Sequence, residues 1–212
     1  MAPGSVQQRW LQYYTRKRIL HQWTQLAMLG RTDAERVLEV GPHLGAVTAM
    51  LANSGYQVTT LDYQPPAFAS PQVPHLECNL QALKPDAITG FDAILCCETL
   101  EHVDWDAVPS ILACFHGSGA RHLVVSVPYM AFQITLDLYV NRYQLHEYFT
   151  MKKLLFLKQF KREPEFGHQW EVGYKGYGLE RWEAVLKAAG YRITSREFTA
   201  HCRSVFHLLE RV

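Results

Sequence analysis

The feature that most constrains this chain is a short apolar run that ends in glycines, Val37-Leu-Glu-Val-Gly-Pro-His-Leu-Gly-Ala46. Residues 36–40 read as a buried strand, 41–45 as a turn and 46–52 as a helix. Gly41 lets the backbone approach a ligand closely, and Gly45 permits tight packing of strand against helix. A strand feeding a helix in this way needs parallel neighbours, and the chain supplies them. Strands are expected at 57–61, 75–77, 91–96 and 122–127, with a loop at Pro65, Pro66, Pro71 and Pro74 and a helix at 105–115. A further helix at 179–189 precedes two terminal strands, 192–198 and 204–209, that have no helix between them. The expectation is a three-layer α/β fold: a mostly parallel seven-stranded sheet with an antiparallel edge hairpin. An amino-terminal helix over 6–29 and a helical insertion or lid around 130–178, with its helix at 134–161, complete the reading.

The 212 residues suit one domain, and 48% hydrophobic with 19% charged residues describes a packed protein rather than a disordered one. A formal net charge of +1 leaves no large basic surplus for wrapping a phosphate backbone, which argues against a nucleic-acid partner. Five cysteines without CxxC spacing read as free thiols in a reducing compartment. The opening MAPGSVQQRW has no apolar signal core. The most apolar long stretch, 122–140, is interrupted by Pro128, Gln133 and Asp137 and is a poor membrane span. A soluble, cytoplasmic protein is the expectation.

Asp62 follows the second strand directly, where a carboxylate can accept both hydroxyls of a ribose. The glycine spacing is GxxxG, which speaks against a dinucleotide fold built on GxGxxG. With these residues in place, the chain resembles the class I S-adenosylmethionine (SAM)-dependent methyltransferases, whose fold is Rossmann-like. Glu39, Gly41 and Gly45 match the family's first motif, with His43 standing where a middle glycine is usual. The resemblance assigns Asp62 to the ribose and Asn79, in Cys78-Asn-Leu80, to the adenine amine. Tyr63, Leu80 and Cys97 join Glu39, Gly41, His43, Gly45, Asp62 and Asn79 as expected cofactor-binding residues.

Cys97-Glu-Thr-Leu-Glu-His-Val103 follows the fourth strand. If it begins a helix, Glu98, Glu101 and His102 lie at i, i+3 and i+4 and share one face. Two carboxylates and an imidazole there could hold a divalent ion, Mg²⁺ or Mn²⁺ before Zn²⁺. His168 is a fourth candidate. The stretch is similar to that of ubiquinone-biosynthesis O-methyltransferases and of small-RNA 3′-terminal 2′-O-methyltransferases. That resemblance implies Glu98, Glu101, His102 and His168 as metal ligands. Glu98, His102 and His168 are the catalytic candidates. Without a metal, His102, His146 or His168 could serve as a general base.

The segment NRYQLHEYFTMKKLLFLKQFKR, 141–162, mixes aromatic, aliphatic and basic residues. It reads first as a lid or packed amphipathic helix and second as a peripheral membrane contact. Phe166, Trp170, Tyr174 and Tyr177 offer aromatic walls for a pocket. The function expected is methyl transfer from SAM to an oxygen of a small molecule, with metal assistance. The alternatives are an RNA 2′-O-methyltransferase and a noncatalytic SAM-binding partner protein.

Overall fold

In the computed structural model, residues 5–65, 73–152, 157–163 and 167–212 are described. Two helices come first, α1 (Val6–Tyr13) and α2 (Arg16–Leu29). The single helix expected over 6–29 is therefore broken. Ser5 and Gln8 form a capping box that starts α1. Tyr14 then leaves helical geometry, and extended Thr15 restarts the chain as α2. The break frees the Tyr14 hydroxyl to accept a hydrogen bond from the Ala46 N–H at 3.2 Å.

β1 (Arg36–Val40), α3 (Ala46–Asn53), β2 (Gln57–Asp62), β3 (His75–Glu77) and β4 (Ala93–Cys97) follow. After them come α4 (Val108–Gly117), β5 (His122–Pro128), β6 (Gln133–Val140), β7 (Leu145–Lys152), α5 (Leu179–Ala188), β8 (Tyr191–Thr199) and β9 (Ser204–Arg211). Seven of the strands form one sheet in the order β3-β2-β1-β4-β5-β9-β8. The first five are parallel, and β9 lies antiparallel between β5 and β8. This is the expected three-layer fold with its antiparallel terminal hairpin.

Alternate strand residues feed two cores. Val37, Ala93, Leu95 and Val124 pack with Met28 and Leu29 of α2 and Val47 and Leu51 of α3. Leu38, Ile94, Cys96 and Val125 pack on the other side with Leu112 and Phe115 of α4 and Trp182 and Leu186 of α5. Strand order reverses between β2-β1 and β1-β4, so the carboxyl ends of β1 and β4 open onto a crevice, the usual ligand position in such sheets.

The helical insertion is a correction. Among the described residues of 130–178 there is no α-helix; β6 and β7 form a separate antiparallel hairpin. Ile134, Leu136, Leu138 and Val140 alternate with polar residues, a period of two that suits a strand and not a helix. Asn141 closes the turn, its side-chain oxygen accepting from the N–H groups of Tyr143 and Gln144 at 2.8 and 2.9 Å. Ile, Thr, Tyr, Val and Phe, strand formers all, fill both arms. Among the described residues no helix is long and apolar enough to cross a membrane.

Candidate active site at the carboxyl ends of β1 and β4

The glycine turn leaves β1 with Gly41 at φ +72° and closes at Gly45, φ +77°, which caps α3. A Cβ on Gly41 would sit 2.5 Å from Thr99 Oγ1, so the position accepts only glycine. His43 also adopts a left-handed conformation, φ +48°, where the family pattern has a middle glycine. Its ring lies 4.2 Å from that of Tyr13. The amino-terminal helices thus cover the turn from outside, and burial pushes the Tyr14 hydroxyl up to about 12, keeping it neutral.

Parallel register sets Leu61 beside Val40, and the Gly41 N–H donates to the Leu61 carbonyl at 2.9 Å. Asp62 therefore flanks the turn. Its Oδ1 accepts from the Gln64 N–H at 3.2 Å. Tyr63 is exposed beside it. Asn79 uses its side-chain oxygen to cap the short turn 80–82, and Leu80 packs against the core. Cys97 points toward the α2–α3 layer, its sulfur 3.9 Å from the Val124 carbonyl, and burial pushes its thiol up.

The acidic segment departs from the helix expected for it. Glu98 follows β4 with φ +50°, and the rest of the segment 97–103 forms only a single 3-10 turn, Leu100–His102. Glu98 consequently turns away from the other two residues. Its Oε1 accepts from the Ser126 hydroxyl at 2.9 Å and lies 3.5 Å from His21 Nε2 of α2. Burial would raise its pKa, but His21 and Ser126 outweigh it and hold the carboxyl below its ordinary value. The residues that do converge are Glu101, His102 and His168, with one ligand atom from each lying within 4.8 Å of the others.

His168 reaches this place through backbone anchors. Gln169 N–H donates to the Glu101 carbonyl at 2.7 Å, Trp170 Nε1 to the Val103 carbonyl at 3.1 Å, and Val172 N–H to the Pro128 carbonyl at 3.1 Å. Its Nδ1 lies 2.7 Å from Glu171, while Nε2 lies 4.0 Å from Glu101. Glu171 raises the His168 pKa. Glu101 is fully buried, and neither carboxylate oxygen has a hydrogen-bond partner among the described residues. Burial, then Glu98, pushes its carboxyl well above the ordinary value. A buried carboxylate without partners is costly, and a cation is the usual compensation. The donor chemistry and this orphaned group fit a divalent metal.

The comparisons with known proteins concern the scaffold that carries this site. The sequence family described as methyltransferase domain matches residues 38–117, from β1 through α4. Over that stretch, the chain is similar to the methyltransferase domain family. Among solved structures, it superposes on 1,6-didemethyltoxoflavin-N1-methyltransferase of Burkholderia thailandensis, solved with 1,6-didemethyltoxoflavin and S-adenosylhomocysteine. The TM-score is 0.60 at 19% identity over 97% of this chain and 83% of that one. N-methyltransferase NodS of Bradyrhizobium japonicum, with S-adenosylhomocysteine, gives 0.62 at 14% over 95% and 91%. Magnesium protoporphyrin IX methyltransferase of Synechocystis PCC 6803, with SAM, gives 0.59 at 14% over 92% and 81%. Compared by sequence with curated proteins, the chain matches none of them.

The expected aromatic wall is mostly core. Trp170 is fully buried and packs with Trp105, Tyr177 and Trp182, while Tyr174 meets Phe160 edge to face. Phe166 lies outside the described residues. His146 sits exposed on β7, outside the ligand cluster. Glu171, Ser126 and His21 were not expected at the site. Glu171 carries a local signal, since it stands three residues after His168. Ser126 and His21 come from β5 and α2 and carry none.

Glu39 is buried, and Thr48 donates to it at 2.6 Å, so its carboxyl holds β1 to α3 under the glycine turn. Burial pushes it up to about 7, with Thr48 pulling the other way. Its folded pKa thus exceeds the ordinary 4.5, and the folded protein holds the proton more tightly. That contribution is complete below pH 4.5 and is lost as pH rises through about 7. The loss is on the order of 3 kcal/mol. Urea unfolding across this range should show a stability decline that Glu39→Gln removes. An identical decline in the variant would assign it to another group.

Proposed function

We propose that this methyltransferase moves the methyl group of SAM to a hydroxyl oxygen of a small acceptor held beside Glu101, His102 and His168. The observation that carries the reading is the unpartnered, buried Glu101 carboxylate facing two imidazoles. Those three residues would hold a divalent cation. With Glu98 engaged elsewhere, the donors are two nitrogens and one carboxylate, which suits Mn²⁺ or Zn²⁺ better than Mg²⁺. A cation there supplies Lewis-acid character that lowers the pKa of a neighbouring hydroxyl.

The chain's own residues do the positioning. Glu171 takes the His168 Nδ1 proton in a hydrogen bond and leaves Nε2 directed at the cluster. Asp62 accepts the ribose hydroxyls, Asn79 and Leu80 border the adenine, and Gly41 to Gly45 let backbone approach the cofactor. Tyr63, His43 and Cys97 complete its surroundings, while Glu39 supports the turn from beneath. The acceptor oxygen then attacks the methyl carbon as the carbon–sulfur bond breaks. S-adenosylhomocysteine leaves and the hydroxyl proton is released. Alignment of these atoms in line is the larger part of the catalysis.

The test is elemental analysis of the purified protein, followed by calorimetry of SAM binding and a methylation screen of vicinal diols before and after chelation. A stoichiometric metal is expected, with diol methylation that stops on chelation and returns with Mn²⁺ or Zn²⁺. Methyl transfer to a nitrogen acceptor, unaffected by chelation, would overturn the oxygen and metal assignments together.

A further inference from the structure

The β6–β7 hairpin presents one face of eight side chains to solvent. In β6 these are Ile134, Leu136, Leu138 and Val140, and their register partners in β7 are Met151, Phe149, Glu147 and Leu145. Partners across a ladder share a face, so seven of the eight are large apolar residues in two adjacent rows. All seven are 53–70% exposed. The opposite face carries the attachments to the body: Thr135 is buried, Asp137 lies 2.7 Å from His201, and Lys17 of α2 donates to the Tyr148 hydroxyl at 3.1 Å. A contiguous apolar surface of this kind marks an interaction site.

We infer that this face docks on the surface of an anionic lipid bilayer. Charge complementarity selects that occupant. Residues 133–162 contain six Lys or Arg and two Asp or Glu, a net charge of +4 in a chain whose total is +1. Of the six, Arg162 is paired with Asp104 of the body at 2.7 Å. Arg142 stands exposed at the hairpin tip beside Tyr143, and Lys158 and Lys161 are exposed beyond β7. Arg16 and Lys17 begin the helix that touches the hairpin's inner face. Apolar side chains at the acyl boundary, with Tyr and basic residues at headgroup level, are what an interfacial element requires. A second copy of the chain would bring one strongly basic hairpin against another. Among the described residues the hairpin also leaves two unpaired strand edges, which hydrocarbon does not tolerate, so it rests in the headgroup region and does not span. The inference is independent of the methyl acceptor.

The test is flotation of the full chain with phosphatidylcholine vesicles and with vesicles that also contain phosphatidylglycerol. Binding is expected only to the anionic vesicles and is expected to fall as salt rises. Replacing both Leu136 and Leu138 (L136D and L138D together) should reduce partition at least ~10-fold by removing apolar contact. Glu147→Leu, which completes the apolar rows, should strengthen it. SAM binding of both variants serves as the folding control, since none of these residues lies at the glycine turn. Failure to float with anionic vesicles overturns the inference. So does a wild-type dimer in sedimentation velocity that the double substitution splits, for the face would then be covered by a second copy.

Discussion

Replacement of Glu101 is expected to separate activity from stability in opposite directions. In the Glu101→Ala variant, metal content should fall to background and methyl transfer should drop by ~100-fold or more, because the proposed metal ligand and its charge are lost together. The carboxylate is wholly buried with both oxygens unpartnered, and burial with Glu98 nearby already disfavours its charged form. Such a group destabilises a metal-free fold. Glu101→Leu, which fills the same space without the polar atoms, should therefore be more stable than the parent in chelator, by about 1–3 kcal/mol. Urea unfolding of the two proteins, chelated and metal-loaded, reads this directly. The loaded parent should regain what the Leu variant cannot. Full activity in Glu101→Ala would remove the residue from the mechanism. A Leu variant less stable than the chelated parent would mean that the carboxylate serves the fold rather than the reaction.

The scaffold was legible because its signals are local. Arg36 to Val40 is a buried strand by composition, Gly41 and Gly45 mark its turn, and the same logic finds β2, β4 and β5. The terminal hairpin follows from two strands with no helix between them. The insertion went unread because its apolar content was weighed as a helix, although Ile134, Leu136, Leu138 and Val140 alternate and Asn141 turns the chain. The acidic cluster was half legible. Glu101, His102 and His168 do meet, but helical spacing placed Glu98 with them, and its left-handed backbone sends it to Ser126 and His21 instead. Nothing in the local sequence announces that reversal. It depends on β5 and α2, which lie nearly thirty residues later and almost eighty residues earlier in the chain.

The second large effect concerns the cofactor. Asp62 ends β2, next to the turn that begins at Gly41, and the single hydrogen bond of its side chain among the described residues is the local one from Gln64. Its side chain supports no other element, so Asp62→Ala should fold and unfold as the parent does. The two ribose hydroxyls would lose charge-assisted hydrogen bonds worth at least ~1.5 kcal/mol each, which corresponds to about 100-fold weaker SAM binding. Asp62→Asn keeps the acceptor geometry and loses the charge, so it should fall between the two. Calorimetry with SAM and with S-adenosylhomocysteine should show the same loss, because both carry the ribose. If the loss appears for SAM alone, Asp62 senses the sulfonium charge across the site rather than the sugar. If it appears for neither, the ribose is held by another residue and the turn binds its cofactor in a different orientation.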